Sequence, residues 1–449
     1  MAKNKLNNLM HKKSKKSWVL KALLILAVLL AIMVAVYFLP PVHDRLAWRV
    51  YNLRMQIFYF FNPPGEESFT PAQQAEMDAI VQQTQTAMAL AYTATLAPSQ
   101  TPTNFVSPTP TPTMTPTPTA TPLPESKTLT GVVWEAQGFN NCGPANLAMA
   151  LSYWGWQGDQ YTTGDWLRPN NRDRNVMPYE MVDYVQQETN FDVVLRYGGD
   201  IEMLKKFIAA GFPVLIEKGF EDEVPQGGWM GHYGVITAYD DATEIFLIQD
   251  SYVKADYAYS YARVEKFWQA FNYVYLVIYP PERESQVLSI LGPQADETYN
   301  LQQAAQKALE ETATMTGKQQ FFAWYNYGTN LVNLTDYFGA AQAYDNAYAF
   351  LDEEYDGYNP MWRITWYQTG PYYAYYWTGR YDDLIRLADL TISYSSVEPA
   401  IEETWIWRAR AKVALGDLEG AIEDYREALK WHPGWAIAES ELAVLGVTP

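Results

Sequence analysis

Residues 137–155 read QGFNNCGPANLAMALSYWG and contain Cys142, the only cysteine in a chain of 449 residues. A lone cysteine cannot form an intramolecular disulfide, so its presence calls for another role. The apolar run after it predicts a buried helix from Asn141 to Trp154. Asn140 and Asn141 suit the cap of that helix, and Pro144 suits its first turn. Cys142 then falls at a helix N-terminus, where the dipole stabilises a thiolate. Gly143 would let the backbone come close to a substrate carbonyl. Gln137 lies five residues before Cys142, and its amide could donate to the oxyanion of a tetrahedral intermediate. The competing reading of Cys142 is a small buried hydrophobe.

A thiol needs a base to act as a nucleophile near neutral pH. The chain has four histidines. His11 lies in a basic tail, His43 follows a long apolar segment, and His432 lies in a helical, repetitive region. Only His232, in GWMGHYGVITAYDD at 228–241, is placed to share a domain with Cys142. If Tyr239 pairs with Glu244 across a hairpin, His232 lies opposite Ser251 and beside Asp250, close enough for side-chain contact. Asp250 could then hold the imidazole tautomer and stabilise its cation. Asp240 and Asp241 are rivals, but they belong to the turn. The competing readings are a satisfied core histidine for His232 and a strand-ending turn residue for Asp250.

Around these residues a folded region is expected from about Leu129 to Pro281. Helical patterns run over Tyr179–Thr189 and Ile201–Ala210. Strand-like runs follow at Phe212–Glu217, Tyr233–Tyr239, Glu244–Gln249 and Tyr273–Ile278. Helices first and antiparallel strands later read as α+β. This region resembles the bacteriocin-processing (double-glycine leader) peptidase-like family of papain-fold cysteine peptidases. The resemblance rests on Gln137 through Asn141-Cys142-Gly143-Pro144-Ala145, on Gly211-Phe212-Pro213-Val214 before a strand, and on Gly231-His232 opening one. It continues with Gln249-Asp250 at a strand end and Phe267-Trp268 before the last strand. It covers roughly a third of the chain and implies an α+β papain-like fold. It also implies Cys142 as nucleophile, His232 as general base and acid, Asp250 as its orienter, Gln137 as oxyanion donor, and no cofactor. The sequence departs from the family at Ser251, where proline is frequent, and in lacking a transporter membrane domain or ATPase motif. Export-coupled leader removal therefore does not carry over.

Residues 298–449 read as helical repeats. Gly328, Ala340, Tyr344 and Ala347 share their spacing with Ala409, Ala421, Tyr425 and Ala428, and Pro433 follows the second set. This small-residue and aromatic pattern matches a tetratricopeptide repeat, in which small residues let paired helices touch. A degenerate middle unit surrounds TGRYDDLIRLADL at 378–390, with Gly379 placed like Gly416 but with Tyr372 and Leu384 at the small-residue positions. Such an array would bind a protein or peptide in its concave groove.

The N-terminal third has a different character. Residues 1–17 carry six lysines and no acid, a basic tail expected in the cytoplasm. Residues 18–39 read as an uncleaved transmembrane signal-anchor, uncharged from Ala22 to Leu39, or about 27 Å of helix at ~1.5 Å per residue. A juxtamembrane segment, 40–96, contains Arg45, Arg49 and Arg54 among aromatics and a helix signal at Thr70-Pro71. Residues 97–127 are a Thr/Pro linker, able to act as a semi-rigid spacer on the order of 80 Å long at ~3.1 Å per residue.

Net charge is −19 despite the basic tail, which disfavours nucleic-acid partners. No second cysteine or histidine pair at ligand spacing suggests a metal, and no phosphate or dinucleotide loop is present. The expected protein is a cell-membrane, single-pass, extracytoplasmic cysteine peptidase. Its domains would be 128–282 for the peptidase and 298–449 for the repeats, with a peptide or protein as substrate. A non-catalytic surface scaffold and a peptidoglycan peptide hydrolase are the other readings.

Overall fold

This computed structural model describes residues 24–39, 122–220 apart from 171 and 174, 229–349, 360–395 and 400–449, with scattered residues between 21 and 71. Its elements begin with β1 (Ser126–Thr128), α1 (Cys142–Ser152), α2 (Gln160–Leu167), α3 (Pro178–Glu188), β2 (Asp192–Arg196) and α4 (Ile201–Ala209). A strand-rich stretch follows: β3 (Val214–Phe220), β4 (Met230–Asp240), β5 (Ile245–Asp250), β6 (Lys254–Ser260), α5 (Tyr261–Trp268) and β7 (Tyr275–Tyr279). The strands form one antiparallel sheet in the order β2-β7-β3-β4-β5-β6, and β1 also pairs with β4.

Both faces of that sheet are covered, so β3 is buried along its whole length. Leu215, Tyr233 and Val235 face α1 and α3, packing with Leu147, Leu151 and Met181. Ile216, Ile236 and Ile248 point the other way, towards Phe207 and Ile208 of α4 and Val264 and Phe267 of α5. The period-two alternation of the strands sets this division. Helix α1 lies against the sheet with Ala145, Leu147, Met149 and Leu151 fully buried. It is apolar on every side, as a helix enclosed between layers must be.

Several expected boundaries need correction. Strand β1 takes up Ser126 and Lys127, which the sequence assigned to the Thr/Pro linker; they pair with Asp240 and Tyr239. Strands β2 and β6 and helices α2 and α5 were not anticipated. β6 is an edge strand with a largely exposed face, and such strands lack a strong hydrophobic signal.

The C-terminal region is all helical. It contains α6 (Glu284–Leu291), α7 (Glu297–Thr314), α8 (Gly317–Asn333), α9 (Tyr337–Ala349), α10 (Gly370–Trp377), α11 (Tyr381–Tyr394), α12 (Glu402–Leu415), α13 (Leu418–Trp431) and α14 (Ala436–Val444). A Cβ on Gly328 would lie 2.9 Å from the Tyr344 ring, so α8 and α9 touch there because the residue is glycine. In α10 and α11 the larger Tyr372 and Leu384 are both fully buried. A buried network replaces small-residue contact: the Arg380 guanidinium grips Asp345 at 2.7 Å and Asp383 at 2.8 Å.

This helical region is not a separate body. Trp229 and Phe271 of the sheet region stack with interplanar angle 4°, and Trp229 also stacks on Phe322 of α8. Asn272 and Asn330 exchange amide hydrogen bonds at 2.7 and 3.1 Å. Phe69 also packs on Tyr348 and Tyr375 of the helical region. Phe69 and β1 belong to one compact unit.

Residues 24–37 are helical, but among the described residues no helix is long and apolar enough to cross a membrane. The lysine tail, the start of the expected anchor, nearly all of 40–96 and the linker up to 121 lie outside the described residues.

Candidate active site

Cys142 is the first residue of α1 and is half-buried. Asn141 occupies the cap position, yet its side chain makes no capping hydrogen bond. The expected cap is therefore corrected. Asn141 Nδ2 donates instead to Gln160, at 3.1 Å to the carbonyl and 3.0 Å to Oε1, and its Oδ1 accepts from Arg168 at 2.7 Å. The first amides of α1 keep no side-chain cap, so the positive end of the helix stays exposed to whatever sits before it. Asn140 has φ 53 in the left-handed region, which asparagine tolerates.

Gly143 packs closely. A Cβ there would lie 2.9 Å from Val176 Cβ and 3.1 Å from Met181 Cε. The glycine lets the start of α1 close on the loop before α3.

His232 sits near the start of β4 and is 2 % exposed. Its ladder partner is Lys218 of β3. The expected hairpin register is also corrected: Tyr239 pairs with Phe246, not Glu244, and a bulge shifts the ladder between Ile236 and Ala238. Asp250 still arrives at the imidazole, through its side chain at the end of β5. His232 Nε2 and Asp250 Oδ1 are 2.9 Å apart. The same oxygen accepts from the backbone N–H groups of Tyr252 and Val253, both at 3.0 Å. Asp241 binds Lys205 and the Tyr261 hydroxyl, and Asp240 accepts from Thr243, so neither rival reaches His232.

Cys142 is near enough to the ring to act on its protonation. Burial pulls the imidazole pKa down, but the Asp250 charge and hydrogen bonds from Asp250 and Cys142 outweigh it, and the pKa is raised overall. With Nε2 engaged by Asp250, Nδ1 is the nitrogen left to exchange a proton with the thiol. Burial alone would raise the Asp250 pKa, but His232 and Lys218 outweigh that and hold the carboxylate far below its usual range.

Sequence reasoning missed two cations here. Lys218 is fully buried, 3.6 Å from Asp250 Oδ2, and lies over the rings of Phe220 and Tyr259. Its alternation along β3 places it with His232, but only the cross-strand register shows that. Arg168 is electrostatically coupled to Cys142 and sits behind Asn141. No local signal marks it.

Gln137 is anchored beside Asp250. Its backbone N–H donates to the Ser251 carbonyl at 2.9 Å, and its Oε1 accepts from the Ser251 hydroxyl at 2.8 Å. Asn146 of α1 donates to the same hydroxyl at 2.9 Å and to the Cys142 carbonyl at 2.8 Å. Ser251 and Asn146 thus tie the Gln137 loop, the β5 end and the start of α1 together. The Gln137 amide oxygen is occupied, which leaves Nε2 as its donor end.

Residues 128–276 match the Peptidase_C39 like family. The matched stretch spans β1 to β7 and carries Gln137, Cys142, His232 and Asp250. The matched stretch is an antiparallel sheet with helices, and an all-helical region follows it. A solved structure described as a proposed C39-like peptidase from Bacillus anthracis is similar to 34% of this chain and 98% of its own length, at 20% identity and a TM-score of 0.28. No curated protein matches the chain.

Proposed function

We propose that the protein is a cysteine peptidase that cleaves peptide bonds by acyl transfer. The observation that supports this reading is a buried imidazole bound to Asp250, with Cys142 nearby at the uncapped N-terminus of a buried helix. In the proposed cycle His232 Nδ1 takes the thiol proton, and the thiolate attacks the substrate carbonyl carbon. The Cys142 amide and Gln137 Nε2 hold the oxyanion. His232 then gives its proton to the leaving amine as the carbon–nitrogen bond breaks. Water, deprotonated by His232, releases the acyl group and restores the thiol. Asp250 keeps the ring oriented and offsets its positive charge. Arg168 and Lys218 place two cations near the site.

The paired helices of 317–431 support a tetratricopeptide-like reading through their Gly328–Tyr344 and Ala409–Ala421 packing, with a peptide or protein as ligand. Attachment to a membrane through 18–39, with the bulk of the chain extracytoplasmic, rests on the hydropathy and lysines of the sequence.

The test is alkylation of the purified protein with iodoacetamide across pH, alongside incubation with unfolded protein and with peptidoglycan fragments. Cys142 should be alkylated faster than an ordinary thiol at neutral pH, and Cys142→Ala should abolish cleavage of unfolded protein. Ordinary thiol reactivity with no cleavage would leave a non-catalytic scaffold; cleavage of the fragments alone would make it a cell-wall hydrolase.

A further inference from the structure

At the seam between the sheet region and the helical region lies a cavity of about 270 Å³. The sheet side supplies Tyr179, Tyr197, Glu217 and Phe271, and the helical side supplies Tyr367 and Tyr373. Glu217 is the one carboxyl in this wall. It is 2 % exposed, and its Oε1 has no hydrogen-bond partner. A buried acid with an orphaned oxygen normally costs stability, so its retention in an aromatic box calls for a ligand.

The proposed cleavage chemistry does not use Glu217, although the residue is close to it. Glu217 and Tyr233 are ladder partners on β3 and β4. Burial lifts the Glu217 carboxyl well above its usual range, the nearby Cys142 adds to this, and a hydrogen bond with Tyr233 opposes it. Tyr233 gives its own proton to the Val176 carbonyl at 2.7 Å. The other groups facing Glu217 are Cys142 on α1 and Tyr197 after β2. The mouth is formed by Tyr179, 50 % exposed, and Tyr373, 39 % exposed. Tyr179 lies in the field of Glu180, Glu402 and Glu403. Tyr373 feels Arg410 as well as Glu403.

The geometry points to this cavity as a specificity pocket for a cationic side chain, lysine or arginine, of the peptide substrate, held by the tyrosine and phenylalanine rings with Glu217 as its counter-ion. This rests on the peptidase reading above. An apolar side chain would leave Glu217 Oε1 orphaned, and an acidic one would be repelled. A cation satisfies the acid and gains from the ring faces. Forming the ion pair requires Glu217 to release its proton to solvent, so affinity should rise as pH rises through the elevated Glu217 pKa.

The test uses the full-length Cys142→Ala protein, so binding is read without turnover. Calorimetry would compare N-acetyl-lysine methylamide with its norleucine counterpart in two buffers of different ionisation heat. Lysine should bind at least about tenfold tighter, with proton release, and Glu217→Gln should bring the ratio close to one. If Glu217→Gln fails to fold, Tyr373→Leu at the exposed mouth should weaken lysine binding more than norleucine binding. Equal affinity for both ligands, or a lysine preference that survives Glu217→Gln, would overturn the pocket. Lysine selectivity in a protein that cleaves nothing would keep the pocket and remove the peptidase reading.

Discussion

His232 is held against its own burial. A histidine 2 % exposed should favour the neutral form, yet the Asp250 carboxylate and the Cys142 contact raise its pKa, while Lys218 opposes them. Opposite outcomes are expected for two substitutions. Asp250→Asn removes the raising charge, so the alkaline limb of the kcat/KM profile should move to lower pH, with activity falling on the order of 10²-fold. Lys218→Met removes the lowering charge, so that limb should move to higher pH. Rate profiles of both variants check this, and shifts in the same direction would refute the assignment. Linkage adds a stability signature. The raised His232 contributes fully below its ordinary 6.5 and loses its contribution as pH rises through the raised value. The depressed Asp250 contributes fully above its ordinary 3.8 and loses its contribution as pH falls through the lowered value. The Tm gap between the wild type and Asp250→Asn should therefore be widest between those two ordinary values and shrink in more alkaline solution.

At the scale of the element, α1 is aimed by its packing. Asn141 is drawn away to Gln160 and Arg168, and Asn146 fastens the first turn to Ser251. Gly143 closes the remaining gap against Val176 and Met181. Gly143→Ala should overpack this contact, costing about 1–3 kcal/mol and turning Cys142 away from His232. Denaturant midpoints and peptidase rates would both fall, and adding Val176→Ala should restore part of each. A fall in rate that Val176→Ala leaves untouched would favour the original expectation, that the glycine makes room for substrate.

Across the whole molecule, the sheet region and the helices share a core. Trp229, Phe271 and Val274 lie in one apolar cluster with Phe321, Phe322, Tyr325 and Tyr344. Gly231, one residue before His232, has no room for a Cβ because the Phe271 and Tyr367 rings lie 2.7 and 2.8 Å from that point. Glu311 of α7 accepts from Tyr273 at 2.6 Å and from Gln269 at 2.9 Å. Residues 122–449 should therefore unfold in one cooperative step, with tryptophan fluorescence and far-UV circular dichroism coinciding. Removing 298–449 would expose Trp229 and Phe271 and leave the sheet region destabilised. Two separated transitions would show that the regions are independent domains.

The residues of the candidate site were legible in the sequence because they stand out by scarcity and local pattern. One cysteine at a helix start, one histidine opening a strand and one aspartate ending the next name themselves by residue type and spacing. Helix α1 and strands β3, β4, β5 and β7 were likewise readable, because burial on both sides leaves long apolar runs. What only the tertiary structure decided is everything that passes between distant segments. The bulge in β4 and its one-residue register shift, the buried Lys218 and Arg168, the packing of Gly143 and the cavity around Glu217 all arise from long-range contacts. A single strand or helix carries its own periodicity, but the register between strands and the fit between layers are set by the summed packing of many residues, and no local stretch encodes that sum.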